Sequence, residues 1–174
     1  MEGWSKIVGR SLHTEIYIDP GTEKSGYIVK SYDTYGAPFM VRLDVGENEQ
    51  VLNECGIHQR VVIEQLSGMG QMIGQSTLDT AVWVGRFMER AMSRDNEVEM
   101  MTRRDVKLYL CGSCRAKDKD IRQRVIDIFG EVPTKKNPNP TWPAKPASHM
   151  WQAAGLMLAV GLRFEEAGFA SRVT

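Results

Sequence analysis

Three side chains in this sequence have the chemistry and the setting to act on a phosphate. Asp19 closes the run His13–Asp19 (HTEIYID), just before Pro20-Gly21. Glu64 closes a second apolar run, in Val61-Val62-Ile63-Glu64-Gln65. A carboxylate that follows buried strand residues sits at the end of a sheet, where burial and neighbouring charge perturb it. If the two runs are adjacent strands, both acids project into one cleft. They then repel each other unless a cation lies between them. Hard oxygen ligands of this kind suit Mg2+ or Mn2+. The third candidate is His149, with Gln152 one turn further on the same helical face. A helix N-terminus disfavours the protonated imidazole, and a neutral imidazole is what a metal ligand or a water-activating base requires. Taken singly, each group also has a plain reading: Asp before Pro-Gly is a common turn, and a histidine in a first helical turn is often a surface imidazole.

The elements that must hold these groups follow from patterning. His13–Asp19, Ser25–Lys30 and Phe39–Val45 read as three strands joined by the short turns at Pro20-Gly21 and Tyr35–Pro38, an antiparallel meander. Glu47–Glu54 reads as a short helix closed by Gly56. Arg60–Ile63 is a continuous apolar run, as expected of a strand buried on both faces. Ser67–Gly74, rich in Gly and Met, reads as a loop. Ser76–Ala91 has helical periodicity through Leu78, Ala81, Val82, Val84, Gly85 and Met88. Glu97–Met101 is the fifth strand, and Asp118–Phe129 an amphipathic helix stopped by Gly130. Five prolines between Val132 and Ala147 exclude a regular element there and predict a mobile loop carrying Lys135 and Lys136. Ser148 is a suitable N-cap for a last helix from His149 to about Ala167. The expectation is one α/β domain over residues 1–174, with a five-stranded mixed sheet flanked by helices.

Composition narrows the rest. The chain has 174 residues, 42% of them apolar and 25% charged, enough to bury a core and too apolar for general disorder. Net charge is zero, with 22 basic and 22 acidic residues, which argues against a purely electrostatic nucleic-acid coat. The charge is nevertheless segregated. Arg103, Arg104, Lys107, Arg115, Lys117, Lys119, Arg122 and Arg124 cluster against only Asp105, Asp118 and Asp120. Such a run is often a solvated face, and it is also what a DNA backbone requires. The stretch Pro146–Leu162 carries Ser148, His149 and Gln152 and does not read as a membrane span. The first residues lack the apolar segment of a signal peptide, giving the expectation of a cytoplasmic protein. Three cysteines speak against a disulfide scaffold. Cys111-Gly112-Ser113-Cys114 and Cys55-Gly56-Ile57-His58 could between them hold zinc, or be reduced thiols.

At this point the residues resemble a family, the RuvC-like Holliday junction resolvases. Ile18-Asp19-Pro20-Gly21 with Ser25-Gly26-Tyr27-Ile28 looks like their first motif and Ile63-Glu64-Gln65 like their second. Asp105-Val106-Lys107, followed by Gly112, Ala116-Lys117 and an amphipathic helix, is similar to their basic third region. Ser148-His149-Met150 with Ala153-Ala154 resembles the start of their last helix. The four stretches occur in the family's order over nearly the whole chain, and the Pro-rich loop and compact size look more like the phage-type members. The resemblance implies an RNase H-like fold, a homodimer acting on branched DNA in a bacterial or phage-infected cytoplasm, and two divalent ions, Mg2+ or Mn2+, held by four side chains. Asp19, Glu64 and His149 match the first three. The fourth position, usually Asp, is Gln152, a neutral and poorer ligand. It further implies that Lys107 neutralises charge on the phosphate. Arg103, Arg104, Arg115, Lys117, Lys119, Lys135 and Lys136 would contact the DNA backbone, and the Ser67-Gly68-Met69 loop would probe the junction centre, with Met69 or Met72 as an apolar insert. The helix bearing Trp83 and Phe87 is the expected dimer surface, and both aromatics fit a core equally well.

Two other readings compete. Gln152 could mark a catalytically disabled junction-binding protein on the same fold. An actin-like or sugar-kinase-type phosphotransferase also carries Asp-x-Gly after a first strand, but this chain is too short for two such lobes and lacks a second Gly-rich phosphate loop.

Overall fold

The computed structural model describes residues 14–33, 35–66, 73–132, 134–137 and 148–170, with residues 39 and 164–170 described by their backbone alone. Strands β1 (Thr14–Asp19), β2 (Lys24–Tyr32) and β3 (Pro38–Glu47) form the expected meander. Helix α1 (Asn48–Glu54) leads into β4 (Arg60–Gln65), helix α2 (Gln75–Ser93) into β5 (Glu97–Thr102). Helices α3 (Arg103–Cys111), α4 (Asp118–Phe129) and α5 (Ser148–Ala170) complete the described chain. The sheet order is β3-β2-β1-β4-β5. β1 and β4 run parallel, as do β4 and β5, and the meander is antiparallel. The fold is thus α/β with a five-stranded mixed sheet.

Alternation along the strands divides the core in two. Tyr17, Ile28, Leu43, Val62 and Met101 face α3, α4 and α5. Ile16, Ile18, Tyr27, Val29, Val61 and Ile63 face α1 and α2. β4 is buried on both faces, which is why its sequence is an unbroken apolar run. The charge that opens it, Arg60, meets the carboxylates of Glu15 and Glu99 at the end of the sheet away from Glu64.

α5 carries nearly half of the buried residues on the first face: Met150, Trp151, Ala153, Ala154, Leu156, Met157, Ala159 and Val160. It packs close to α4 because Gly155 has no side chain; a Cβ there would lie 2.7 Å from Ile121. The helix starts at Ser148, within a residue of the predicted start.

One element escaped the sequence reading. α3 begins directly after β5, with Thr102 as N-cap: its Oγ1 accepts from the Asp105 amide and donates to Asp105 Oδ2. The stop is Gly112 in the left-handed region, φ 69°. Both cap signals are in the sequence, but only Val106 and Leu110 are buried in nine residues, too weak a periodicity to separate a helix from a basic loop.

Of the two readings of the cysteines, the structure favours reduced thiols. Cys55 lies in the core on the α1/α2 face, whereas Cys111 packs against the core on the other face, so the sheet separates the two pairs. Among the described residues no three His, Cys, Asp or Glu side chains form a metal-holding cluster of the kind a structural zinc needs. All three cysteines are free thiols. No described helix is long and apolar enough to cross a membrane. The segment predicted to be a mobile loop falls largely outside the described residues; within it, Thr134 and Asn137 close a turn through paired backbone hydrogen bonds.

Candidate active site

Strand register brings Asp19 and Glu64 together. Ile18 pairs with Ile63 across the parallel β1–β4 ladder, so the two acids follow one step further on, at the C-terminal ends of neighbouring strands. Asp19 is two residues from Tyr17, and Glu64 two from Val62, so both side chains point to the face that α3 and α5 cover. Their side chains are 11% and 12% exposed, which removes most of the water that would otherwise stabilise the charges.

The start of α5 arrives over Asp19. His149 Nδ1 is 2.7 Å from Asp19 Oδ2. That approach depends on two glycines. Gly26, the cross-strand partner of Asp19, faces the first turn of α5, and a Cβ there would lie 2.1 Å from the His149 carbonyl oxygen. A Cβ on Gly21 would lie 2.2 Å from the Lys24 carbonyl oxygen and 3.2 Å from the His149 ring. The turn between them is locked from behind. The Gly21 amide donates to Ser25 Oγ, Ser25 donates to Asn48 Oδ1, and Asn48 Nδ2 donates to the Gly21 carbonyl, all buried. Asn48 was not singled out by sequence, because its partners are 23 and 27 residues away.

On the other side, α3 delivers a cation. Arg103 Nη1 lies 3.2 Å from Glu64 Oε2, and its Nη2 lies 2.9 Å from Asp118 Oδ1. Lys107, one turn along α3, lies 3.6 Å from the same Asp118 oxygen. Arg103, expected on the DNA backbone, is therefore inside the site, with its side chain 19% exposed. Gln152, one turn beyond His149, has its Oε1 buried with no hydrogen-bond partner among the described residues.

The electrostatics follow from this packing. Burial raises Asp19 above the carboxylate range, although its hydrogen bond with His149 opposes the shift. Burial, then the charge of Asp19, push Glu64 from 4.5 up to about 7 against the pull of Arg103. The bond to Asp19 raises His149, outweighing partial burial. Burial raises Asp118, but Arg103 and Lys107 together hold it below its ordinary value. The site is a strained pair of acids with imidazole on one flank and guanidinium on the other.

Of the remaining predicted residues, Arg104, Arg115, Lys117, Lys119, Lys135 and Lys136 are exposed. Ser67, Gly68, Met69 and Met72 lie outside the described residues. Phe87 is fully buried, and Trp83 is half-buried beside it, ring centroids 6.0 Å apart. The exposed side of α2 is instead built by Leu78, Val82 and Met92.

No protein-family model and no curated protein matches the chain. Solved structures do. Thermus thermophilus RuvC superposes with a TM-score of 0.62 at 18% identity, covering 88% of this chain and 96% of that one. The same enzyme in complex with a Holliday junction substrate gives 0.63 at 18% identity, covering 89% and 96%. The fold is that of the RuvC-like Holliday junction resolvases. The yeast mitochondrial Holliday junction resolvase Ydc2 shares it, with a TM-score of 0.52 at 9% identity over 95% of this chain and 87% of that one.

Proposed function

We propose that this chain is a structure-selective endodeoxyribonuclease that resolves four-way DNA junctions by paired nicks, with divalent ions, Mg2+ or Mn2+, held by Asp19, Glu64, His149 and Gln152. The observation that supports it most is the placement of Asp19 and Glu64 side by side on one face at the ends of parallel β1 and β4. The donor chemistry suits such ions, although Asp19, Glu64 and His149 are not already gathered into a metal-holding group of three among the described residues. Gln152 Oε1 is a buried acceptor with no donor among the described residues, which a cation would satisfy. Two adjacent carboxylates, one raised to about 7, are eased by positive charge between them. Oxygen donors with one imidazole suit Mg2+ or Mn2+.

When bound, the ions would supply an acidified water and Lewis-acid stabilisation of the phosphate. The chain's own residues do the rest. With Nδ1–H donating to Asp19, His149 keeps a lone pair on Nε2 for a proton or a ligand bond. Lys107 brings fixed positive charge toward the developing phosphate charge. Arg104, Arg115, Lys117, Lys119, Lys135 and Lys136 contact the DNA backbone, which contributes affinity without sequence choice. Ser67, Gly68 and Met69 probe the junction centre. A homodimer through the outer face of α2, where Leu78, Val82 and Met92 are exposed, sets two such sites on opposite strands of one junction.

A synthetic four-way junction and a matched linear duplex, incubated with Mg2+ or Mn2+, test this. Wild type nicks the junction symmetrically and leaves the duplex intact; Asp19→Asn binds the junction without cutting. Gln152→Asp, which adds a charged ligand, cuts about tenfold faster at limiting Mg2+. A second reading, a junction-binding protein without catalysis, is favoured by the neutral Gln152 and by Arg103 on Glu64. It holds if wild type binds and does not cut while Gln152→Asp does. Equal affinity for junction and duplex overturns both. In the same binding format, Arg115→Gln lowers the slope of log affinity against log salt by about one, the loss of one phosphate contact; an unchanged slope removes Arg115 from the interface.

A further inference from the structure

The guanidinium of Arg103 occupies the place where a cation would balance Glu64. It reaches Glu64 at 3.2 Å and is gripped from behind by Asp118 at 2.9 Å. Asp118 is itself shared with Lys107. Three features show that this is a built arrangement. Arg103 is the first residue of α3, so the Thr102 cap fixes where its side chain departs. Asp118 is the first residue of α4, a separate helix, so the grip joins two elements. The guanidinium fork can hold a carboxylate on each side at once, which a lysine ammonium does as a point charge only.

We infer that Arg103, positioned by Asp118, is an internal counter-cation at Glu64 that competes with a divalent ion for that carboxylate and so restrains metal loading of the DNA-free protein. Arg103 and Asp118 are positioning residues in this scheme. The inference rests on the reading of Glu64 as a cation ligand. Incoming DNA offers Arg103 a phosphate, a third anion within the basic surface of α3 and α4, and Glu64 is then free for the metal.

The test is Mn2+ binding to the full chain without DNA, read from the free-ion electron paramagnetic resonance signal at about pH 8, above the ordinary carboxylate range. Arg103→Gln binds Mn2+ about tenfold more tightly than wild type, the scale of one lost charged hydrogen bond. Asp118→Asn, at an exposed position, binds about threefold more tightly because Arg103 is no longer held against Glu64. That gain shrinks in the Arg103→Gln background if Asp118 acts through Arg103. Arg103→Gln binding Mn2+ no more tightly than wild type overturns the competition. An Asp118→Asn effect of the same size in both backgrounds overturns its positioning role. Junction cleavage is scored separately. Tighter Mn2+ binding without cleavage upholds the competition and fails the nuclease reading. Cleavage with unaltered Mn2+ affinity does the reverse.

Discussion

Glu64→Gln raises the melting temperature of the metal-free protein at pH 8 by about 6 °C and reduces junction cleavage by on the order of a thousandfold. The two effects have one cause. The Glu64 carboxyl is held between burial and the charge of Asp19, and its folded pKa stands at about 7 against an ordinary 4.5. A folded pKa above the unfolded one means that the native state binds the proton more tightly. The stability this contributes is complete below about pH 4.5 and is lost as pH rises through about 7. A shift of that size corresponds to about 3 kcal/mol, of which about 2 kcal/mol is expected after allowing for the mutual dependence of the paired groups. The neutral amide of Gln removes the repulsion, and Arg103 keeps Asp118 as its partner. On the proposed function, the same neutrality would remove a ligand charge, which is why cleavage is expected to fall. Thermal unfolding from pH 5 to 8 checks the first part: wild type loses stability across that window and Glu64→Gln loses much less. A variant that melts at or below the wild-type temperature at pH 8 would falsify the account of a strained acid pair.

The second large effect is steric. Gly26→Ala places a methyl group 2.1 Å from the His149 carbonyl oxygen and 2.3 Å from its carbonyl carbon. Both contacts are backbone, so no side chain can swing away. Either β2 or the first turn of α5 must move. We expect a loss of about 3 kcal/mol, a drop of about 10 °C in melting temperature. His149 moves with the helix start, so cleavage falls about a hundredfold in the fraction that remains folded, the usual cost of displacing an aligned group by an ångström. Urea denaturation gives the stability change, and cleavage measured well below the midpoint separates misalignment from unfolding. Wild-type stability for Gly26→Ala would mean that the helix does not approach β2 this closely.

Much of the site was legible in the chain. Asp19 and Glu64 each end an apolar run, and strand periodicity alone implied that such acids stand at a sheet edge. Gly21 and Gly26 stood out within the motif, yet their purpose, room for His149, depends on a helix more than a hundred residues later. The partnerships were not legible. Arg103 was indistinguishable in sequence from Arg104, Arg115 or Lys117, all members of one basic run, and Lys107 stood apart only through the family resemblance. Helical phase separates them: Arg103 and Lys107 lie one turn apart on the inner side of α3, while Arg104 is exposed. The cysteine pairs likewise looked able to meet until the sheet came between them.

The sequence by itself determined the strands, four of the five helices and the pair of acids, because hydrophobic periodicity and turn chemistry act over a few neighbouring residues. Only the tertiary structure decided that His149 braces Asp19, that Arg103 rather than a solvent ion stands against Glu64, and that Ser25 and Asn48 lock the turn beneath them. Those contacts join segments up to 130 residues apart, and they are set by parallel register and helix packing rather than by any local pattern.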